Sequence, residues 1–403
     1  MKVYFHENKT QPKEYTLRLL KYLLNLNGIS VTKNVSESDC VFVSLCDMTE
    51  YPLLVSAKKL GKPIVAGGFQ ADMPIVHKTA DYTCVGEAYD FIRRLAGIKR
   101  VEEIADFPQT ATANKAAIID QNIDYAINPV ISVTSRAYYY YCGKGCPQHC
   151  KFCYLSYQRE YQKAPIGYLL AALRQIPSGS KLYPMLSHFD YKIPADMIQK
   201  LGILDVRVRD YVRRNGQGYG NRVRTGIEFM RQDYRNKLAK PISTDEIVEF
   251  VNLSKKHKCT SVWYFVAGLE GEQDALDFLD KLPVDMSLYP RIICIFTYIE
   301  PQPKTPMANF DIRQKKEFDS FSWFFKEAHK KNRRIRVHTP KYLAFSTWKT
   351  LMNRASTDEE ISFAWSMRNE KDNSHMLDII NSKMPNMLGT MSIADIVKNS
   401  RIG

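Results

Sequence analysis

The 403-residue sequence has no apolar run near the roughly 18 residues that a membrane-spanning helix needs, so no membrane partner is expected. Its first residues also lack an apolar stretch followed by a small-residue cleavage site, which predicts a cytoplasmic protein without a secretory signal. Low-complexity tracts and internal repeats are absent, and 45% of the residues are hydrophobic. This composition excludes disordered and collagen-like chains and predicts a globular protein of two to three domains.

Charge of one sign is in excess. The chain contains 57 Lys and Arg against 43 Asp and Glu, a formal net charge of +14. Such a balance favours a polyanionic partner, since basic side chains that contact phosphates release counterions. The alternative is a generally basic surface with no specific partner.

Nine cysteines are present, and four of them lie within twelve residues, CGKGCPQHCKFC at 142–153. A disulfide framework would spread its cysteines along a secreted chain, so the crowding indicates a metal site. The last three are separated by three and then two residues, and three thiolates from one loop can hold three irons of a cubane and leave the fourth open. The alternative is a structural zinc site with Cys142 as the fourth ligand.

The pattern of apolar segments predicts an α/β protein with four regions. Residues 1–97 alternate short strands and helices, which predicts a small doubly wound, Rossmann-like domain. Residues 98–128 have weak periodicity and are interpreted as a linker. Residues 129–310 contain about six strand–helix units, which predicts a partial (βα)6 barrel. Residues 311–403 are interpreted as a helical C-terminal extension.

The cysteine segment resembles a known signature. CPQHCKFCY at 146–154 is similar to the CxxxCxxC motif of the radical S-adenosylmethionine (radical SAM) enzymes, including an aromatic residue, Phe152, before the third cysteine. In that superfamily the motif also follows the first strand of the barrel. The resemblance therefore predicts a radical SAM enzyme.

Further similarities run downstream in the order that the superfamily has them. GIEF at 226–229 resembles the fourth barrel strand. VAGLEGE at 266–272 resembles the glycine motif GLPGE of the fifth strand, with Glu270 in place of proline. YIEPQPKTPM at 298–307 resembles the PxPGTP turn after the sixth strand, with Lys304 in place of glycine.

The resemblance implies a cofactor set. Cys146, Cys150 and Cys153 would bind a 4Fe–4S cluster, and the open iron would chelate S-adenosylmethionine. One electron, delivered by a reductant such as flavodoxin or ferredoxin, would cleave that cofactor to a 5′-deoxyadenosyl radical, which takes a hydrogen atom from the substrate. A cluster of this kind supplies chemistry that no side chain can supply.

Residues that would hold S-adenosylmethionine are predicted from the same resemblance. Where the family often has a Gly-Gly-Glu run, this sequence reads PMLSHFDY at 184–191. Ser187 or Asp190 would substitute there, and His188 is interpreted as a packed or surface histidine. The predicted cofactor-binding residues are Phe152, Ser187, Asp190, Glu228, Gly268 and Gly271. No catalytic residue is identified from the sequence.

The N-terminal region resembles a cobalamin-binding domain found in a subset of radical SAM enzymes. GGFQADMP at 67–74 is similar to the GGxHxTxxP loop of that subset, and DYTCVGEAYDFI at 81–92 is similar to its DxVVxGEGE run. Gln70 and Ala88 replace the usual histidine and glycine, and a cobalt-ligating DxHxxG motif is missing. We therefore favour a degenerate domain over one that binds cobalamin.

Residues 207–235 carry eight arginines interleaved with glycines and tyrosines. A loop of this composition beside the mouth of the barrel could grip phosphates while its aromatic rings stack on bases. The predicted substrate-binding residues are Arg213, Arg214, Arg222 and Arg224. The alternative is a solvated loop in which arginines pair with Asp205, Asp210 and Asp233.

Three functions follow from these features. The preferred hypothesis is a radical SAM enzyme that modifies a nucleobase, or a group attached to one, in DNA or RNA. The second is a cobalamin-dependent radical SAM methyltransferase that acts on a small molecule or peptide. The third is not an enzyme but a zinc-stabilised nucleic-acid-binding module.

Overall fold

The computed structural model describes seven stretches of the chain, which are residues 1–7, 14–119, 122–283, 291–315, 321–331, 335–338 and 343–398. The chain divides into two compact units. The first is Met1–Val133 with Leu351–Ser366, and the second is Thr134–Thr350 with Met367–Gly403. Each unit is described by itself below. No helix in the described stretches combines the length and the apolarity that crossing a bilayer requires.

The first unit is built on a doubly wound sheet. Its elements are β1 (Lys2–Phe5), α1 (Glu14–Leu26), β2 (Ser30–Thr32), β3 (Cys40–Ser44), α2 (Tyr51–Ala57), β4 (Ile64–Gly67), α3 (Pro74–Thr79), β5 (Tyr82–Cys84), α4 (Ala88–Leu95) and β6 (Thr110–Ala111). The strand order is β2-β1-β3-β4-β5-β6. Neighbours from β2 to β5 are parallel, which confirms the predicted Rossmann-like fold.

The predicted linker differs from the structure. Residues 101–106 form a 3-10 helix, and β6 pairs antiparallel with β5, with Thr83 opposite Ala111 and Cys84 opposite Thr110. A strand of two residues leaves no periodicity in the sequence, so the segment resembled a linker. Its pairing satisfies backbone groups that β5 would otherwise expose at a sheet edge.

The second unit contains most of the remaining elements. β7 (Ile131–Thr134) spans the boundary between the two units in the sequence. The elements that begin within the second unit are β8 (Ala137–Tyr141), β9 (Gly143–Lys144), α5 (Leu155–Gln158), β10 (Gln162–Lys163), α6 (Ile166–Gln175), β11 (Lys181–Met185), α7 (Ala195–Ile198), β12 (Leu204–Asp205), α8 (Val208–Arg213), β13 (Arg222–Glu228), α9 (Gln232–Lys237), α10 (Thr244–Lys256), β14 (Thr260–Ala267), α11 (Glu272–Lys281) and β15 (Ile292–Tyr298).

Six of these strands form the predicted partial barrel. β8 pairs in parallel with β11, and β12, β13, β14 and β15 pair in parallel in that order. A backbone hydrogen bond joins the two groups, from Phe189 N, after β11, to Asp205 O of β12 at 2.6 Å. Leu182 N of β11 also donates to Lys200 O, in the segment before β12, at 2.8 Å. Because the strands are parallel, their carboxyl ends lie along one edge, and the cysteine segment follows β8 at that edge.

The C-terminal residues differ from a simple helical extension. Their elements are α12 (Phe321–Lys331), β16 (Arg336–His338), α13 (Leu343–Arg354), α14 (Asp358–Ser366), α15 (Asn373–Lys383) and α16 (Ile393–Lys398). β16 pairs in parallel with β15 and so adds a further strand to the barrel sheet. In contrast, α14 belongs to the first unit, where Trp365 packs edge-on against Tyr51 at 5.5 Å. The pairing of β16 with β15 and the packing of Trp365 on Tyr51 both join segments that are distant in the sequence, so no local sequence pattern predicts them.

Candidate iron–sulfur site

Three contacts hold the cysteine segment against the barrel. Lys151 N donates to Leu238 O at 3.1 Å, and Met307 N donates to Lys151 O at 3.3 Å. The Phe152 ring packs edge-on against Phe229, with centroids 5.7 Å apart. The segment between β8 and α5 is therefore fixed by the loops that follow two other strands, β13 and β15.

The three motif thiols influence one another electrostatically. Burial, with the charges of Glu228, Cys153 and Cys146, raises the pKa of Cys150 to about 12 against the opposing effect of the Lys240 ammonium. Burial also raises the pKa of Cys153. Thiolates are the form that binds iron, so these thiols would lose their protons as the metal enters. Three neighbouring thiols on one loop, with a lysine beside them, fit a 4Fe–4S cluster.

Cys142 does not join these three thiols. It is buried, and its Sγ lies 3.7 Å from the carbonyl oxygen of Met185 on the neighbouring strand. Within the described stretches, no three His, Cys, Asp or Glu side chains converge on the position of one ion. A single zinc needs four ligands within about 2.3 Å of the metal. The four-thiol zinc site considered from the sequence is therefore not supported.

A buried ion pair lies beside the motif thiols. Glu228, the last residue of β13, pairs with Lys240 at 3.2 Å, and their side chains are 15% and 12% exposed. Burial disfavours the charged form of Lys240, but the Glu228 carboxylate and the Cys150 thiol outweigh it and raise its pKa. Lys240 was not identified from the sequence, and no local pattern indicates it.

Glu228 has an unusual backbone conformation. Its φ is +69°, in the left-handed region that non-glycine residues rarely occupy, and the register of β13 shifts between Gly226 and Glu228. A Cβ atom at Gly226 would collide with the Glu228 carboxylate, so glycine is required for this carboxylate to fold back along the strand. Such strain costs about 1–3 kcal/mol and persists only where surrounding contacts impose it.

All six predicted cofactor-binding residues follow, or end, a barrel strand at the carboxyl edge. Gly268 has a φ of +101° after β14, and Gly271 is the N-cap of α11. Ser187 and Asp190, like Glu228, have polar partners within the protein. Ser187 Oγ donates to the carbonyl of Gly145, and Asp190 forms an ion pair with Lys163 at 2.7 Å. Their binding roles stay predictions.

His188 lies in a buried ionic cluster. Its Nε2 is 3.2 Å from Asp210 Oδ2, and both side chains are 2% exposed. Burial and the positive charge of Arg207 lower the pKa of His188 to about 4, against the opposing effect of Asp210. The ring is therefore neutral at neutral pH. Asp210 also accepts a hydrogen bond from Arg207 at 2.5 Å. Because its side chain is buried, His188 is a packed histidine, which is one of the two interpretations made from the sequence.

The arginine-rich segment is placed differently from the prediction. Residues 214–221 lead from α8 into β13, so they lie at the amino end of that strand and not at the mouth of the barrel. Arg222 and Arg224 are the first and third residues of β13. The signal was available in the sequence, because a loop that enters a parallel strand lies opposite the loops that leave it.

Most of these arginines are also engaged within the protein. Arg224 pairs with Asp205 at 2.5 Å. Arg213 pairs with Asp210, and Arg214 donates to the backbone oxygen of Tyr191 at 3.0 Å. Arg209 and Arg231 pair with Glu246 and Asp233. This arrangement matches the alternative of local pairing and does not form the expected phosphate-gripping loop.

The first unit has a second candidate site at the carboxyl edge of its sheet. Gly68, which follows β4, has a φ of +105°, and a Cβ there would approach Leu45 O to 2.6 Å. Only glycine permits this approach of the loops that follow β3 and β4. Gln70 is buried, yet its Oε1 has no hydrogen-bond partner. An orphaned buried amide oxygen beside a glycine cradle fits a ligand that carries amide donors.

No protein-family model and no curated protein sequence matches this chain. Solved structures do match. The radical SAM methyltransferase TsrM from Kitasatospora setae, with cobalamin and a [4Fe–4S] cluster bound, aligns with a TM-score of 0.55 at 13% identity over 78% of this chain and 74% of its own. The cobalamin-dependent radical SAM enzyme OxsB, with aqua-cobalamin bound, aligns with a TM-score of 0.54 at 13% identity over 99% and 83%.

The chain therefore has the fold of cobalamin-dependent radical SAM enzymes. The resemblance predicted from the motif at 146–154 is confirmed at the level of the fold, and so is the Rossmann-like domain before the barrel.

Proposed function

We propose that this chain is a radical SAM enzyme that uses a 4Fe–4S cluster held by Cys146, Cys150 and Cys153. The observation that carries the proposal is the position of these thiols, which lie together at the carboxyl edge of the barrel beside the Lys240–Glu228 pair. When bound, the cluster would supply the electron that cleaves S-adenosylmethionine to a radical.

The protein side chains would prepare the site for this chemistry. Lys240 places a positive charge beside the thiolates, which favours their deprotonation and so the binding of iron. Glu228 balances that charge and offers a carboxylate to hydroxyl or amine donors of the bound cofactor. Phe152 is packed against Phe229 and fixes the orientation of the last cysteine.

We also propose that the first unit binds cobalamin. Two observations support this proposal, the glycine cradle at Gly68 and the orphaned amide oxygen of Gln70. Both solved neighbours carry cobalamin, which does not support the degenerate domain that we favoured from the sequence. Gln70 stands where the family loop has histidine, and its amide would hydrogen-bond the ligand.

The substrate is proposed in two forms. Methyl transfer to a small molecule or peptide is supported by the neighbour TsrM, a methyltransferase. Modification of a nucleobase in DNA or RNA is supported by the net charge of +14, although the arginine segment no longer adds to that support. The two proposals differ in whether nucleic acid stimulates cleavage of S-adenosylmethionine.

One anaerobic experiment tests these proposals together. The chain is reconstituted with iron and sulfide, with or without hydroxocobalamin, and given dithionite, S-adenosylmethionine and either no acceptor, a peptide and small-molecule pool, or nucleic acid. We expect 5′-deoxyadenosine in every reduced sample, and S-adenosylhomocysteine only with cobalamin. Increased product with nucleic acid alone would favour the nucleobase proposal. A reduced, iron-loaded protein that forms neither product would contradict the enzyme proposal.

A further inference from the structure

The turn that follows Glu228 is held by a buried carboxylate. Glu270, which is 4% exposed, accepts two backbone hydrogen bonds, from Met230 N at 2.9 Å and from Arg231 N at 2.7 Å. Glu270 lies in the loop after β14, so the loop of one strand fixes the backbone that leaves the preceding strand, β13. A proline, which the family motif has at this position, could not make either contact.

A buried arginine holds the other side of the same turn. Arg235 has no exposed surface, and its Nη1 donates to Phe229 O at 2.6 Å and to Met230 O at 2.8 Å. Its Nε donates to Ile242 O at 2.7 Å. The N–H groups of residues 230 and 231 and the C=O groups of residues 229 and 230 are therefore fixed by two opposite charges.

These contacts act on the peptide groups directly after the strained residue. The left-handed φ of Glu228 is unfavourable in isolation, and it persists only if the backbone on both sides is fixed. Before Glu228 in the sequence, the missing side chain of Gly226 leaves space for the Glu228 carboxylate. After Glu228, the fixed turn at residues 229–231 restrains the backbone. Arg235 also partly offsets the cost of burying the Glu270 charge.

We propose that Glu270 and Arg235 are positioning residues that hold Glu228 in its left-handed conformation, and thereby hold its carboxylate beside Lys240 and the motif thiols. This inference rests on the proposed function, because it assigns the residues that prepare the same site. In this chain Glu270 stands where the motif after the fifth barrel strand has proline, and Arg235 binds the same turn.

The first test needs no cofactor. Amide hydrogen exchange is measured on the metal-free chain for the wild type, Glu270→Gln, Arg235→Lys and the matched control Asp277→Asn, an exposed carboxylate on α11. Glutamine retains one acceptor oxygen and loses the other, so exchange at Met230 or Arg231 should become about tenfold faster. The control should leave both amides unchanged. If both variants fold and exchange at Met230 and Arg231 is unchanged in both, the proposal that Glu270 and Arg235 hold this turn is overturned.

The second test asks whether the restraint acts on the site. In the reconstituted enzyme, Glu270→Gln should bind iron as the wild type does, raise the KM for S-adenosylmethionine about tenfold, and change kcat less. A general structural defect would instead lower iron content and kcat together, and that result would overturn the positioning role. If the wild type itself binds no iron, the proposed function fails. The exchange experiment still decides whether Glu270 and Arg235 hold the turn at residues 229–231.

Discussion

The charged side chains at the two edges of the barrel sheet have different surroundings. At the amino edge, Arg222 is exposed and Arg224 pairs with Asp205, so the charges there are satisfied locally or solvated. At the carboxyl edge, the Glu228–Lys240 pair is largely buried and lies beside three thiols. The comparison shows that the density of charge along a sequence does not locate a site, whereas its position relative to the strand ends does.

The largest expected effect is the loss of bound iron when one motif thiol at the carboxyl edge is removed. Cys150→Ala removes one of three proposed ligands, and after anaerobic reconstitution it should retain almost no iron and no cluster absorbance. Cys142→Ala is the matched control, because that thiol is buried against Met185 O and takes no part in the proposed site. Iron and sulfide analysis checks both variants. Equal iron loss in the control would mean that Cys142 is a ligand.

The next effect is a pH dependence of stability that comes from Glu270, at the same carboxyl edge. Burial raises the pKa of Glu270 to about 7, the two amide donors and Arg235 oppose the shift, and Asp274 adds to it. In the folded chain the Glu270 carboxyl therefore keeps its proton to a higher pH than in the unfolded chain, and its contribution to stability falls as the pH rises from about 4.5 to 7.

Glu270→Gln removes this titration. Its stability should lack the decline seen in the wild type, which amounts to about 3 kcal/mol at most. Urea unfolding of both proteins across the window gives the difference curve and cancels other titrating groups such as His188. Parallel pH profiles for the two proteins would contradict the assigned pKa.

A smaller effect is expected at Lys304, in the turn after β15. Its φ is +63°, so a lysine occupies the left-handed region at the position where the family turn has glycine. Lys304→Gly should change stability by less than about 1 kcal/mol, since relieved strain and lost chain entropy offset each other. Lys304→Val should destabilise by about 1 kcal/mol or more, because a β-branched residue disfavours this region. Thermal unfolding of both variants tests the sign, and a more stable valine variant would contradict it.

The smallest effect on binding is expected from a substitution at the amino edge of the barrel sheet. Arg222→Ala removes an exposed arginine, and the logarithmic salt dependence of nucleic-acid binding should keep its slope. A residue that contacts phosphate would instead reduce that slope by about one. A titration of labelled single-stranded DNA at several salt concentrations measures it. A reduced slope in this variant would restore the arginine segment as a nucleic-acid site.

The sequence predicts those parts of the fold that rest on local patterns. Three cysteines at short spacing and the alternation of strands and helices are readable in the sequence, and the structure contains both features. The family resemblance also marked Glu270 and Lys304 as departures. At Lys304 the backbone has a φ of +63°, in the left-handed region that favours glycine, so this departure carries a backbone cost.

The remaining features depend on contacts between distant segments. Lys240 meets Glu228 across twelve residues that contain a helix and a turn, and Glu270 meets the turn at 229–231 from the next strand. β16 pairs with β15 through only three residues, too few to leave a periodic signal. Such contacts are selected by packing in three dimensions, so residue types in the sequence indicate their chemistry and not their partners.

The measurement that tests the central claim most directly is electron paramagnetic resonance of the reconstituted, reduced chain with and without S-adenosylmethionine. If Cys146, Cys150 and Cys153 hold three irons and leave the fourth open, the reduced protein should give a cubane signal that changes when S-adenosylmethionine is added. Cys142→Ala should behave in the same way. A protein that binds zinc in place of iron, or a cluster signal that S-adenosylmethionine leaves unchanged, would contradict the account.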